Sequence, residues 1–247
     1  MTISHPRPFL HQNRLLRALP ASTVQPFLLT LQPVALRLKE SLMTRHEPIT
    51  AVYFPLDAVT SVVSTLADGT MVEVGTIGNE GMVGISQFFQ TDSMPFTALT
   101  QVPGAALKMD VATFDQAVGT VGSDFSRMLA RYSQAWCTQL GQHVVCNRVH
   151  QVAERCARWL LQTQDRVGRT NFPLTQEFLS VMLGVRRTSV TGVARQLQQK
   201  GLIQYRRGMI HVLDRPGLEA ASCECYGIIT QETDRLLGPA QAENRPG

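Results

Sequence analysis

The stretch from Pro173 to Leu213, PLTQEFLSVMLGVRRTSVTGVARQLQQKGLIQYRRGMIHVL, leaves little freedom in how it can fold. Thr175 is placed to cap a helix, with Gln176 and Glu177 bringing polar and acidic character to its first turn. Phe178, Leu179, Met182 and Leu183 share one helical face, and Gly184 ends the helix in a turn that favours a residue without Cβ. A second helix follows. Val190, Val193, Ala194 and Leu197 recur at i, i+3, i+4 and i+7 and so point inward. At about 100° per residue, Thr188, Gly192 and Arg195 lie opposite that stripe, with Arg187 and Thr191 on its flanks. Gly201 ends this helix. Leu202 to Arg206 and Met209 to Leu213 then alternate around Arg207-Gly208, the pattern of a tight hairpin. Helix, turn, helix and basic-tipped hairpin make a winged helix-turn-helix, a unit that lays its second helix in the DNA major groove.

Composition supports such a reading. A hydrophobic content of 44% and a charged content of 17% describe a folded globular chain rather than a disordered one. The net charge of +4 hides a division. Residues 147–215 hold twelve Lys/Arg against four Asp/Glu, a net +8, which leaves the remainder at −4. A basic C-terminal third on an acidic body suits a polyanion-binding module joined to a sensor or scaffold. No apolar run approaches the roughly 18 residues that a membrane span needs. The N-terminus lacks a charged start followed by an apolar core, so no signal peptide and a cytoplasmic location are expected.

The helix-turn-helix resembles the DNA-binding domain of the Crp/Fnr family of bacterial transcription regulators. In that family a helix ending Leu-Gly precedes a recognition helix that opens Arg-Glu-Thr and carries a second Arg five positions after the first. This chain has Leu183-Gly184-Val185-Arg186-Arg187-Thr188-Ser189-Val190-Thr191-Gly192. Arg187 matches the first Arg. Thr188 stands for the Glu, Ser189 for the Thr and Gly192 for the second Arg. The resemblance implies the fold and the groove placement, but not the same base sequence.

Upstream, the texture from Val34 to Met109 is β. Val34–Leu38, Ala51–Phe54, Val59–Leu66, Met71–Ile77, Thr97–Val102 and Ala105–Met109 read as strands, with turns at Asp68-Gly69 and Pro103-Gly104. Residues 1–11 read as a loose tail. Short helices are expected from Asn13 to Leu19 and, capped by Ser22 or Thr23, from Val24 to Leu31. This order resembles the same family's β-roll sensor, the cyclic-nucleotide-binding type. The turn Ile77-Gly78-Asn79-Glu80-Gly81-Met82-Val83-Gly84 falls where the family has its phosphate-binding cassette. The arginine that pairs the cyclic phosphate is missing, since residues 86–102 contain no Lys or Arg. A buried phosphate without a charged partner is costly, so cyclic AMP is not the expected ligand. Gly78, Gly81 and Gly84 read most simply as tight turns. An uncharged or different effector in the same cavity remains open, with Gly78, Glu80, Gly81, Gln139 and His143 as its candidate lining.

Asp110 is placed to cap a helix through Val118, broken at Gly119 and Gly122. From Ser123, Leu129, Tyr132, Trp136, Gln139, His143 and Cys146 fall at alternating spacings of three and four. That is a coiled-coil seam with two polar intruders, and in the family the matching helix is the dimer interface. Gln139 reads as a register residue between protomers, and His143 as a hydrogen-bonded packing residue. Asn147 is placed to cap a further helix reaching Asp165, with Arg148, Arg155 and Arg158 on a solvated face. Residues 166–171 then read as a loop, and residues beyond Arg215 as a helix to Leu237 and a disordered tail.

The expected architecture is α+β: a β-roll sensor at residues 12–122, a dimerisation helix at 123–146, a winged helix-turn-helix at 147–218, and a C-terminal helix and tail at 219–247. Its expected partners are a second copy of the chain and double-stranded DNA carrying a near-palindromic operator. The resemblance adds RNA polymerase. Candidate DNA contacts are Thr175, Gln176, Arg186, Arg187, Thr188, Ser189, Thr191, Gly192, Arg195, Arg206 and Arg207. No cofactor or metal is expected. The five cysteines (Cys137, Cys146, Cys156, Cys223 and Cys225) read as free thiols, and Cys223-Glu224-Cys225 offers two thiolates without companions. No triad, carboxylate pair or Walker-type loop stands at recognisable spacing, so an enzyme is not expected. A ligand-binding or protein-docking module that does not bind DNA and a redox- or metal-responsive regulator are the competing readings.

Overall fold

A computed structural model of the chain describes residues 7–121 and 123–239. Residues 1–6 and 240–247, parts of the two expected loose ends, and the expected helix break at Gly122 lie outside the described residues. Residues 7–12, which carry no sequence pattern, form a 3-10 turn. Helix α1 (Arg14–Arg17) is capped by buried Asn13, whose Oδ1 accepts from the Leu16 N–H at 3.1 Å while its Nδ2 donates to the carbonyls of Pro55 and Gly81. The second helix starts earlier than expected. Helix α2 (Ala21–Val24) follows Pro20 without a side-chain cap, and a 3-10 turn continues to Thr30.

Seven strands build the β-roll: β1 (Gln32–Leu36), β2 (Ser41–Met43), β3 (Ala51–Pro55), β4 (Val59–Thr65), β5 (Met71–Ile77), β6 (Thr97–Val102) and β7 (Gly104–Asp110). They form two antiparallel sheets, ordered β1-β7-β3 and β2-β6-β4-β5. Strand β2 carries no alternation long enough to be read from sequence. Residues 59–63 of β4 are all buried, because both faces of that strand are covered. Val52, Phe54, Leu107 and Met109 pack with Phe27, Phe114 and Phe125 in the roll's core.

Asp110 caps α3 (Val111–Val121), accepting from the Thr113 N–H at 2.9 Å. Gly119 does not break that helix. Helix α4 (Ser123–Val149) then runs the length of the roll. The expected cap at Asn147 does not form, because Asn147 lies inside α4. Helix α5 (Val152–Val167) starts instead from Gln151, where Glu154 reciprocates in a capping box. The head follows, with β8 (Asn171–Pro173), α6 (Gln176–Leu183), α7 (Arg187–Gln199), β9 (Ile203–Arg206) and β10 (Met209–Val212), its sheet ordered β8-β10-β9. Two helices close the chain, α8 (Arg215–Ala220) and α9 (Cys225–Leu237). Helix α9 returns along α4: Cys225 joins Cys146 at one end, and Leu237 joins Phe125 at the other.

The expected dimer seam needs correction. Leu129 and Tyr132 lie in the roll's core. Trp136 lies against Gly75, Gln139 donates to the Thr76 carbonyl at 2.9 Å, and His143 bonds the Val74 carbonyl at 3.1 Å. Cys146 meets Cys223. Spacing of three and four marks an apolar stripe without saying what covers it, and here the chain's own strand β5 and C-terminal segment do. Gln139 therefore sets no register between protomers. Among the described residues no helix is long and apolar enough to cross a membrane.

Candidate nucleic-acid interface

The head presents α7 as its outermost helix. Val190, Ala194 and Leu197 are buried against α5 and α6, which turns the opposite strip to solvent. Gly184, at φ 60°, makes the sharp turn between α6 and α7, and its N–H closes the last turn of α6. Arg186 occupies the N-cap position of α7 and Arg187 its first residue. Arg186, Arg187, Thr188, Ser189, Thr191, Gly192 and Arg195 are all exposed. The space beside Gly192 is open, so a DNA backbone or base edge can approach closely there.

Thr175 caps α6, its hydroxyl accepting from the Phe178 N–H at 3.1 Å. Half-buried Gln176 sits at the meeting of α6 and α7. Its Oε1 accepts from the Thr191 hydroxyl at 3.3 Å and lies 3.5 Å from Arg187 Nε. Gln176 therefore orients two candidate base-reading side chains. The wing is the expected hairpin, with Arg206 opposite Met209. Arg207 takes φ 51° and Gly208 φ 76°, the paired positive values of a type I′ turn. Gln176, Thr191, Arg195, Tyr205, Arg207 and Gly208 line a groove of about 440 Å³ between α7 and the wing. Of the eleven residues read as DNA contacts, Gln176, Thr191, Arg195 and Arg207 line this groove.

The net +8 of the C-terminal third is not all surface charge. Arg155, Arg158 and Arg166 are buried, a correction to the solvated face expected for the first two and the loop expected for the third. Arg155 donates to the Leu183 carbonyl and so ties α5 to the turn before α7. Exposed cations are left concentrated on α7 and the wing.

Arg166 decides the state of the cassette-like turn. Its guanidinium pairs Glu80 at 2.8 Å, donates to the Thr76 hydroxyl at 2.6 Å and to Gln139 Oε1 at 2.9 Å. Burial pushes the Glu80 carboxyl up, but the Arg166 charge and its hydrogen bonds outweigh that and hold it below the usual carboxylate range. A Cβ on Gly78 would lie 2.5 Å from the Arg166 side chain, and one on Gly81 would strike the Tyr132 ring. Gly78, Glu80, Gly81 and Gln139 do converge, around Arg166. The guanidinium at this turn comes from α5, and it is engaged by Glu80, Thr76 and Gln139. His143 stands one step away. Arg158 Nη1 donates to its Nε2 at 3.0 Å, leaving Nδ1–H to donate to Val74, and burial with the Arg158 charge lowers its pKa to about 3. His143 is the hydrogen-bonded packing residue that its position suggested.

Glu73 completes this joint. It accepts from Trp159 Nε1 at 3.1 Å and from the Ser61 hydroxyl, and burial raises its pKa to about 7 against those bonds. Cys223 and Cys225, read as lacking companions, lie beside Cys146 and His150.

Residues 154–221 match the Crp-like helix-turn-helix domain family. The C-terminal head is similar to a Crp-like helix-turn-helix domain. Solved structures extend the likeness to the whole architecture. FixK2 from Bradyrhizobium japonicum matches with a TM-score of 0.66 at 17% identity, over 78% of this chain and 98% of that one. TTHB099, a transcriptional regulator of the CRP family from Thermus thermophilus, matches at 0.60 with 19% identity, over 76% and 96%. The c-di-GMP-responsive global regulator CLP of Xanthomonas campestris matches at 0.61 with 15% identity, over 78% and 99%. At these identities the likeness is one of fold: a β-roll, a long helix and a Crp-like domain in the same order. No curated protein sequence matches the chain.

Proposed function

We propose that the chain is a sequence-specific, DNA-binding transcription regulator that acts as a two-fold dimer. The observation that carries this reading is the outward strip of α7, where Arg187, Thr188, Thr191 and Arg195 are all exposed, beside the Arg206-Arg207 wing. Affinity comes mainly from phosphate contacts by Arg206, Arg207, Arg186, Ser189 and the Thr175 helix start. Arg187 reads a guanine through O6 and N7, with Thr188 and Thr191 near thymine methyls or base edges and Arg195 further along the groove.

The dimer forms through the outward ridge of α4. Ala130, Gln134, Cys137, Gly141, Val144 and Arg148 recur at alternating spacings of four and three, and all are exposed. Val144 is 71% exposed and Val145 beside it 48%, more apolar surface than an isolated helix leaves in water without reason. Two-fold symmetry then places two α7 helices on half-sites about 34 Å apart.

In the sensor, an anion seeking the cassette-like turn meets the Glu80 carboxylate, and the arginine beside it, Arg166, is already engaged by that carboxylate. This supports a sensor that does not take cyclic AMP. With DNA as its partner the protein acts in the cytoplasm, within reach of RNA polymerase, as a regulator rather than an enzyme. The direct test is titration of the full chain against a random-sequence duplex at several salt concentrations. The logarithm of the binding constant should fall linearly with that of the salt concentration. Absence of salt-dependent retention would favour a head that docks only to proteins.

A further inference from the structure

Three cysteines and a histidine meet where α4 ends and α9 begins, with no part in the DNA interface. Cys146 and His150 stand one helical turn apart, and the His150 N–H donates to the Cys146 carbonyl at 3.1 Å, which prolongs the helical turn past Val149. Cys223 lies in the connection from α8 to α9 and Cys225 opens α9, with Glu224 between them. The four candidate ligand atoms all lie within 4.8 Å of one another, with Cys146 Sγ 3.4 Å from Cys223 Sγ and Cys225 Sγ 3.7 Å from His150 Nδ1. Ligands of a tetrahedral zinc stand about 3.5–3.8 Å apart, given Zn–S of about 2.3 Å and Zn–N of about 2.0 Å. The cysteines are 0%, 4% and 1% exposed, and His150 is half-buried at the edge of the cluster.

We propose that Cys146, His150, Cys223 and Cys225 form a closed Cys3His site for a structural zinc ion. The donor set selects the metal class: three soft sulfurs and one imidazole suit zinc, whereas a hard cation such as calcium or magnesium prefers oxygen. All four positions are filled by protein, which marks a structural rather than a catalytic centre. The outer shell fits as well. His150 Nε2 lies 3.0 Å from Glu224 Oε2, so with Nδ1 on the metal the remaining N–H donates to a carboxylate. Zinc displaces the three thiol protons and leaves the centre with a net charge of about −1. The guanidiniums of Arg155 and Arg158 act electrostatically on Cys146 and offset that charge.

The location gives the metal a task. Helix α9 is held at its far end by Asp234, which pairs Arg14 at 2.6 Å. Zinc fastens the near end, clamping α9 along α4 and fixing the joint from which α5 and the reading head depart. This assignment is independent of DNA binding and would stand if that failed.

Elemental analysis of the full chain, purified under reducing conditions without a metal-affinity tag, should find about one zinc per chain that survives washing with a weak chelator. Cobalt substituted for it should give the intense visible bands of a tetrahedral thiolate centre. Stripping the metal with a strong chelator should lower the thermal midpoint by about 5 °C or more, restored by zinc. Cys223→Ser with Cys225→Ser should abolish the bound metal, whereas Cys137→Ser, on the outward ridge of α4 and outside the cluster, should leave the metal content unchanged. Should the double variant fail to fold, the wild-type stoichiometry and the cobalt spectrum decide alone. Metal-free wild type without a tetrahedral cobalt spectrum, or a Cys146–Cys223 disulfide in the native protein, would overturn the assignment.

Discussion

Arg187 stands at the first residue of α7 with its guanidinium in solvent and only a long contact to Gln176. Among the described residues no carboxylate pairs that charge. Arg187→Ala should therefore leave stability unchanged, weaken binding to the preferred site by about 1–3 kcal/mol and relax preference at one base pair. Anisotropy titrations on single-base variants of the site would measure this, and an equal loss on every sequence would remove its base-reading role. Arg207 differs, because it holds φ 51° at the wing tip. Arg207→Gly keeps the turn while deleting the charge, so it should weaken binding on all sequences and reduce the salt slope by about 1. The placement of both residues, at the start of the second helix and at the hairpin tip, was legible in the sequence because each sits within a short local motif. Arg166 was not. Its partner Glu80 lies 86 residues away, and no local pattern marks an arginine that will be buried by pairing. Arg166→Ala would leave Glu80 buried and alone and should destabilise the fold by about 3–5 kcal/mol in urea unfolding.

At the scale of elements, α4 shows what a helical pattern can and cannot say. Its spacing of three and four foretold one continuous amphipathic helix, and the helix is there. It carries two such stripes, however, one covered by the chain itself and one open. Sequence marked the more apolar stripe as the dimer seam, but that stripe was needed to close the roll. Val144→Glu on the open ridge should convert a dimer to a monomer in sedimentation experiments while leaving the fold intact. A variant still dimeric would send the interface elsewhere. The joint between α5 and the roll carries a pH signature. Burial lifts Glu73 from 4.5 to about 7 in the folded chain, so folding favours its protonated form. Its contribution is complete below about pH 4.5 and is lost as pH rises through about 7, up to about 3 kcal/mol. Urea midpoints of Glu73→Gln should stay flatter than wild type across that window, and parallel curves would refute the assignment.

For the molecule as a whole, sensor and head share one buried polar seam. Arg166 and Arg158 reach from α5 to residues of the roll and of α4, Trp159 reaches to Glu73, and α6 packs against β5. Any ligand that loosened the Glu80–Arg166 pair would act directly on the helix supporting α7. The order of β-roll, long helix and winged head was legible because turns, strand texture and caps are local signals. The joins between these parts were not, because they depend on polar residues that read as solvated until the fold brings them together. The assembly stands on α7 being a reader of bases, displayed twice by a two-fold dimer. Selection of preferred sites by the full-length protein from random duplex DNA tests that most directly. The account predicts enrichment of a near-palindrome with half-sites about one helical turn apart. Recovered sequences no different from the starting pool, or a lone half-site without symmetry, would contradict it.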